Sequence, residues 1–184
     1  MLFDTLAMIG EHLNKHHILW AVGASLLLQH HDLVNEVNDI DLIVHIRDIT
    51  KAKDLLDALG HRNDFIKHTT YATTYFYEYT VNGCDVDVMS ERKIIHDQGT
   101  LTYKFDENAV VDHITLKNVP IPITSLEDWF ILYQLISGRE KKVQLIEDYL
   151  IKNGLKYPQR LKQMMHQPLP DKVIERTQHL LTDL

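Results

Sequence analysis

Cysteine is nearly absent. Cys84 is the one thiol in 184 residues, so no disulfide can form within the chain and no cysteine zinc cluster is available. Long apolar runs are missing too. None approaches the roughly 18–20 residues that span a bilayer. The first residues, MLFDTLAMIGEHLNKHH, carry acids and lack the basic start and apolar stretch of a secretory signal. These absences predict a cytoplasmic protein with no membrane partner. Positive charge is in deficit: 19 Lys and Arg against 26 Asp and Glu give a formal charge of -7. That argues against a broad basic surface for nucleic acid and leaves room only for a local patch. Histidine is abundant at 12, but His16-His17 and His30-His31 are adjacent pairs. Adjacent residues on a helix do not share a face, so these read as exposed polar residues near helix ends rather than metal clamps.

The apolar content, 45%, suffices for one sizeable core or a main domain with a small appendage. Phe3, Leu6, Ala7, Ile9, Gly10 and Leu13 recur at helical spacing over residues 3–16. Ile18 to Val22 reads as a buried strand and Ser25 to His31 as a helix. Asp39 to Ile46 is a second strand. Asp48 or Thr50 caps a helix that carries Ala52, Leu55, Leu56 and Leu59 and closes at Gly60. Residues 64–68 are a weak strand candidate. Thr73–Val81 and Cys84–Met89, joined by Asn82-Gly83, read as an antiparallel hairpin. Ala109–Leu116 reads as a further strand, and Val119–Ile123 is extended because of Pro120 and Pro122. After Thr124 the character changes. Ser125-Leu-Glu-Asp128 resembles a capping box, and helices follow, punctuated by Gly138, Asn153-Gly154, Pro158, Pro168 and Pro170. The chain divides into an α/β part, residues 1–118, and a helical part, residues 119–184.

The stretch from Leu19 to His45 organises the rest: strand, glycine turn, short helix, loop, strand. Its second strand carries Asp39 and Asp41 in an apolar run. Residues two apart on a strand share a face, so Ile40, Leu42 and Val44 face the core and the two acids stand together opposite. Carboxylates held that close repel unless a cation sits between them. Acids on one strand face can also be simply solvated, but the apolar flanks make that less comfortable. Asp85-Val86-Asp87 is a second such pair, for which a solvent-facing edge strand is an equal reading. Gly23-Ala24-Ser25 sits at a strand–helix junction, where backbone N–H groups favour phosphate. By itself a Gly-x-Ser after a strand is more often a turn and a helix cap. Glycine there permits close approach or a positive φ.

In this order the three features resemble the nucleotidyltransferase superfamily with the DNA polymerase β-like fold. Its motif is an apolar residue, Gly, then Gly or Ser, about a dozen residues, Asp-x-Asp, and a third acid on a later strand. Val22-Gly23-Ala24-Ser25 and Asp39-Ile40-Asp41 match, with Asp87, or else Asp85, as the third acid. The segment from Ile123 to Leu132, with Gly138 to Lys141 after it, is similar to the helix after the sheet in small bacterial members. These include abortive-infection, toxin–antitoxin and lincosamide nucleotidyltransferases. The likeness spans about residues 18–150.

The resemblance implies an α+β fold: a mixed sheet flanked by helices, followed by a helical C-terminal part. It implies Mg²⁺-dependent transfer of an NMP from an NTP such as ATP to an acceptor hydroxyl. Two Mg²⁺ ions would be held by Asp39, Asp41 and Asp87, with Asp85 as the alternative third ligand, and the same three acids are the expected catalytic residues. Gly23, Ala24 and Ser25 would bind the nucleotide. The acceptor, a small molecule, an RNA or a protein, is left open. Ala24 stands where relatives carry Gly or Ser, Asn35 and Val37 where many carry Arg and Thr, and Tyr133 or Gln134 where many carry Lys. A binding module of the same fold, inactive or weakly active and antitoxin-like, is the alternative. Tyr71, Tyr75 and Tyr77 are candidates for an acceptor pocket, with strand packing the commoner role. Arg139, Lys141 and Lys142 are candidates for phosphate contacts, with a solvated helix face the preferred reading.

Overall fold

Where apolar residues recur at helical spacing, helices form and bury that side. A computed structural model describes residues 1–63 and 72–182. The strand expected at 64–68, and Tyr71, lie outside the described residues. The first helix, α1 (Leu2–Lys15), buries Leu6, Ile9 and Leu13. It leads to β1 (Trp20–Val22), buried along its whole length. Then come α2 (Ala24–His30), β2 (Asp39–Val44) and α3 (Ile49–Asp57). Asp48 stands at the start of α3, but its carboxylate accepts the Leu19 N–H at 2.9 Å rather than capping the helix.

A two-residue strand, β3 (His61–Arg62), precedes the expected hairpin, β4 (Tyr75–Val81) and β5 (Cys84–Ser90). Its turn residues Asn82 and Gly83 both have positive φ, 50° and 73°. That is the backbone a two-residue hairpin turn with the right twist demands. A second small hairpin, β6 (Lys93–His96) and β7 (Gly99–Thr102), forms a sheet of its own. Residues 107–109 form a 3-10 turn, so the strand expected from Ala109 starts later, as β8 (Asp112–Leu116). It turns through Lys117 and Asn118, again both at positive φ, into β9 (Val119–Ile123). Four helices complete the chain: α4 (Leu126–Gln134), α5 (Glu140–Asn153), α6 (Pro158–Met164) and α7 (Asp171–Thr182).

The large sheet has the order β3-β4-β5-β2-β1-β9-β8. It is mixed: β2 runs parallel to β5 and β1 parallel to β9, with the other neighbours antiparallel. The fold is therefore α+β, a seven-stranded mixed sheet flanked by helices. The division expected after residue 118 falls in the turn between β8 and β9, two paired strands. One continuous core runs from Leu6 on α1 to Leu180 on α7. Among the described residues, no helix is long and apolar enough to cross a membrane.

Helix α4 is the axle of the helical part. Ser125 caps it, its hydroxyl accepting the Asp128 N–H at 3.0 Å, and residues 126–133 are all buried. Burying Asp128 requires partners. It has them: Arg160 on α6 donates from Nε at 2.9 Å to Oδ1 and from a terminal nitrogen at 2.9 Å to Oδ2, and the Tyr103 hydroxyl donates at 2.7 Å. This network ties α4, α6 and the irregular segment just after β7 together, and fixes where α4 lies against the sheet.

Candidate active site

The parallel pairing of β2 with β5 aligns Asp39 with Asp85 and Asp41 with Asp87. The alternation expected along β2 holds: Ile40, Leu42 and Val44 are buried, and the two aspartates lie half-buried on the opposite face. One oxygen each from Asp39, Asp41 and Asp87 lies within 4.8 Å of the others. Asp85 is exposed and stands outside this cluster. The Ser25 hydroxyl donates to Asp39 Oδ1 at 3.3 Å and so links the turn to the first acid.

That turn is shaped by α4. A Cβ on Gly23 would lie 2.4 Å from Trp129 Cζ2, so only glycine lets the indole pack there. Gly23 itself has an extended φ of -143°, and the left-handed conformation falls on Ala24, with φ 48°. The indole N–H donates to Thr124 Oγ1 at 2.9 Å, and the Thr124 hydroxyl donates to the Val22 carbonyl at 3.2 Å. The turn, the end of β1 and α4 thus form one bonded unit.

Above the acids lies a cavity of about 270 Å³, lined by Ala24, Ser25, Asp39, Asp41, Asp87 and Glu78 among others. The carboxylates are under electrostatic load. Burial first, and the Asp39 charge second, push the Asp41 pKa up to about 6. Burial, then Asp41 and Glu78, push Asp87 up to about 7. Three hard oxygen donors so close, partly buried and mutually repelling, fit a divalent cation such as Mg²⁺. Glu78 was not singled out in the sequence. It faces the site because it pairs with Asp87 across the β4–β5 ladder.

The same ladder decides the tyrosines. Phe76 and Glu78 line the cavity, whereas Tyr75 and Tyr77 do not. Alternation puts them on the other face with Tyr79, which is buried and donates to Asp57 Oδ1 at 2.9 Å. Tyr77 is partly buried against the core, in the packing role, whereas Tyr75 is exposed and neither lines the cavity nor joins the core. For the basic residues the preferred reading divides. Arg139 and Lys142 line the cavity with Arg92, while Lys141 is an exposed residue outside it.

No protein-family model matches the chain, and neither does any curated protein. Solved structures do. A proposed nucleotidyltransferase of Thermotoga maritima superposes with a TM-score of 0.61 at 20% identity, covering 82% of this chain and 92% of that one. ANT(2")-Ia in complex with adenylyl-2"-tobramycin gives a TM-score of 0.56 at 10% identity, covering 95% and 97%. The lincosamide antibiotic adenylyltransferase LnuA, lincomycin-bound, gives 0.52 at 12% identity, covering 78% and 95%. At such identities the likeness establishes the fold, and the chemistry rests on the residues.

Proposed function

From a nucleotidyltransferase fold whose cavity gathers three carboxylates, we propose that the chain is a Mg²⁺-dependent nucleotidyltransferase. It moves an NMP from an NTP such as ATP to an acceptor hydroxyl and releases pyrophosphate. The observation that carries this reading is the convergence of Asp39, Asp41 and Asp87 within 4.8 Å. Two Mg²⁺ ions, roughly 3.5–4 Å apart, would stabilise the charge that builds on the attacking and leaving oxygens of such a displacement.

The chain's own residues divide the work. Asp39 and Asp41 would hold the cation that serves the nucleotide and contribute to holding the second. Asp87 would complete the second set of ligands, on the side offered to an acceptor hydroxyl. There its carboxylate would orient that hydroxyl or take its proton. Gly23, Ala24 and Ser25 present their N–H groups to the phosphates, and Ser25 orients Asp39 through its hydroxyl. A concave cavity and a net charge of -7 favour a small-molecule acceptor over RNA. The antibiotic complexes among the structural neighbours accord with that class. The absence of a membrane-crossing helix among the described residues accords with a cytoplasmic site of action.

The test is pyrophosphate release from NTPs with Mg²⁺ and a panel of hydroxyl acceptors. Release that depends on Mg²⁺ and disappears in Asp41→Asn supports the enzyme. Nucleotide binding with no release across the panel would instead assign a binding module of the same fold.

A further inference from the structure

At the start of α4 lies a second cavity, of about 380 Å³. It shares no lining residue with the cavity over the acids. Its walls come from the end of α2, the start of β8, the β9–α4 junction, and the end of α5 with the link to α6. Ile123, Leu126 and Leu155 give it apolar surface, and His31, Tyr149 and Tyr157 give it rings. The rings are held in place. His31 Nδ1 and the Tyr149 hydroxyl are hydrogen-bonded at 3.2 Å, with ring centroids 5.2 Å apart. The Tyr157 hydroxyl donates to the Val111 carbonyl at 3.1 Å. Burial, ahead of the His30 charge, lowers the His31 pKa, so its ring is neutral at pH 7.

The charge in this cavity is Glu127. Burying a carboxylate is costly unless it is paired and hydrogen-bonded. Glu127 and Asp128 are neighbours on α4, and both are buried, at 2% and 0% exposure. The fold gives Asp128 the Arg160 guanidinium. It gives Glu127 a backbone N–H, that of Tyr157, at 2.7 Å from Oε1. Among the described residues, no Lys, Arg or His stands at ion-pair distance from Glu127. Its place in the first turn of α4 suits negative charge. That helix end therefore already has its anion, and a second would be repelled. The other charged side chains that line the cavity, with the histidines neutral, are Asp112 and Lys156. They pair with each other at 3.2 Å, which leaves the Glu127 charge uncompensated. Lys156 Nζ also lies 5.3 Å from the Tyr157 ring centroid, so one of these rings already receives a cation.

We propose that this second cavity binds a small organic cation, a primary ammonium that donates to the Glu127 carboxylate. Its apolar body packs against Ile123, Leu126 and Leu155 and the two tyrosine rings. A concave, mostly apolar site with one placed charge is the usual build of a small-molecule pocket. The proposal goes beyond nucleotidyl transfer and does not depend on it. The ligand bridges α4 and α5, the helices that also carry Trp129 and Lys142 to the cavity over the acids.

Calorimetric titration of the wild type and Glu127→Gln tests the proposal. The probes are 2-phenylethylamine, 1,4-diaminobutane and 2-phenylethanol, the last a neutral counterpart of the first. Glu127→Gln keeps an oxygen for the Tyr157 N–H, and thermal melts check its fold. The expected result is saturable binding of an amine to the wild type, about tenfold weaker in Glu127→Gln. The alcohol should bind the wild type about tenfold more weakly than 2-phenylethylamine. Amide chemical shifts of the wild type, followed in the same titrations, need no variant. Those of residues 124–127 and 149–157 should move. Unchanged affinity in Glu127→Gln, equal binding of the alcohol, or no saturable binding of either amine would overturn the proposal. So would shifts centred on Asp39, Asp41 and Asp87, which would seat the cation at the acids instead. Should Glu127→Gln fold poorly, the shift map and the alcohol comparison decide. None of these results bears on pyrophosphate release, so failure here leaves the nucleotidyl-transfer reading standing.

Discussion

Replacing Asp41 by Asn removes one charge from a cluster held together against its own repulsion. In the unfolded chain aspartates titrate near 3.9. In the fold, the Asp41 pKa stands at about 6 and that of Asp87 at about 7. Between the two values the folded chain binds more protons than the unfolded one. The stability contributed by these protonated acids is full below pH 4 and is lost as pH rises through 6 and 7. For Asp41 the difference of about 2 pH units corresponds to roughly 3 kcal/mol at 1.36 kcal/mol per unit. Partial solvation of the side chain reduces this to about 1–2 kcal/mol. Urea denaturation in EDTA reads it directly. At pH 8, Asp41→Asn should be more stable than the wild type by that amount. The gap should narrow as pH falls and close below pH 4, where the carboxyl is protonated in both the folded and the unfolded wild type. Adding Mg²⁺ at pH 8 should stabilise the wild type far more than the variant. Equal destabilisation of Asp41→Asn at both pH values would refute the reasoning.

Other consequences follow from packing. Gly23→Ala puts a Cβ 2.4 Å from the Trp129 ring. It should cost about 1–3 kcal/mol in urea denaturation and weaken binding of the Mg²⁺–ATP analogue in calorimetry. Ala24→Gly relieves a left-handed residue at φ 48° and should raise the stability by about 1 kcal/mol in the same assay. Arg160→Ala leaves Asp128 buried without its cation. It should cost about 3–5 kcal/mol, although neither residue lines the cavity.

Much of the site is legible because it is local. Asp39, Asp41 and Asp87 each sit on a strand whose alternation can be read directly, and Asn82-Gly83 announces the hairpin that carries the third. The choice between Asp87 and Asp85 is not local. It depends on how β5 aligns with β2, a parallel pairing of strands far apart in the chain. Face parity decides the tyrosines in the same way: Glu78 reaches the site and Tyr77 does not, a one-residue difference that composition cannot resolve. The small β6–β7 hairpin escapes notice because its strands are short and partly polar. Arg92 escapes notice, and Arg139 and Lys142, though candidates, cannot be told from a solvated helix face, for another reason. They converge only when α4 and α5 dock on the sheet, and no single segment carries that pattern. The positive φ at Ala24 runs against residue preference, so the local sequence does not announce it.

The central claim is that Asp39, Asp41 and Asp87 together hold the cations that serve a bound triphosphate. Anomalous diffraction from crystals grown with Mn²⁺ and a non-hydrolysable ATP analogue tests it most directly. The account predicts Mn²⁺ signal between the three carboxylates, with the analogue's phosphates against it. An analogue seated away from these carboxylates, or bound there with no Mn²⁺ between them, would contradict it.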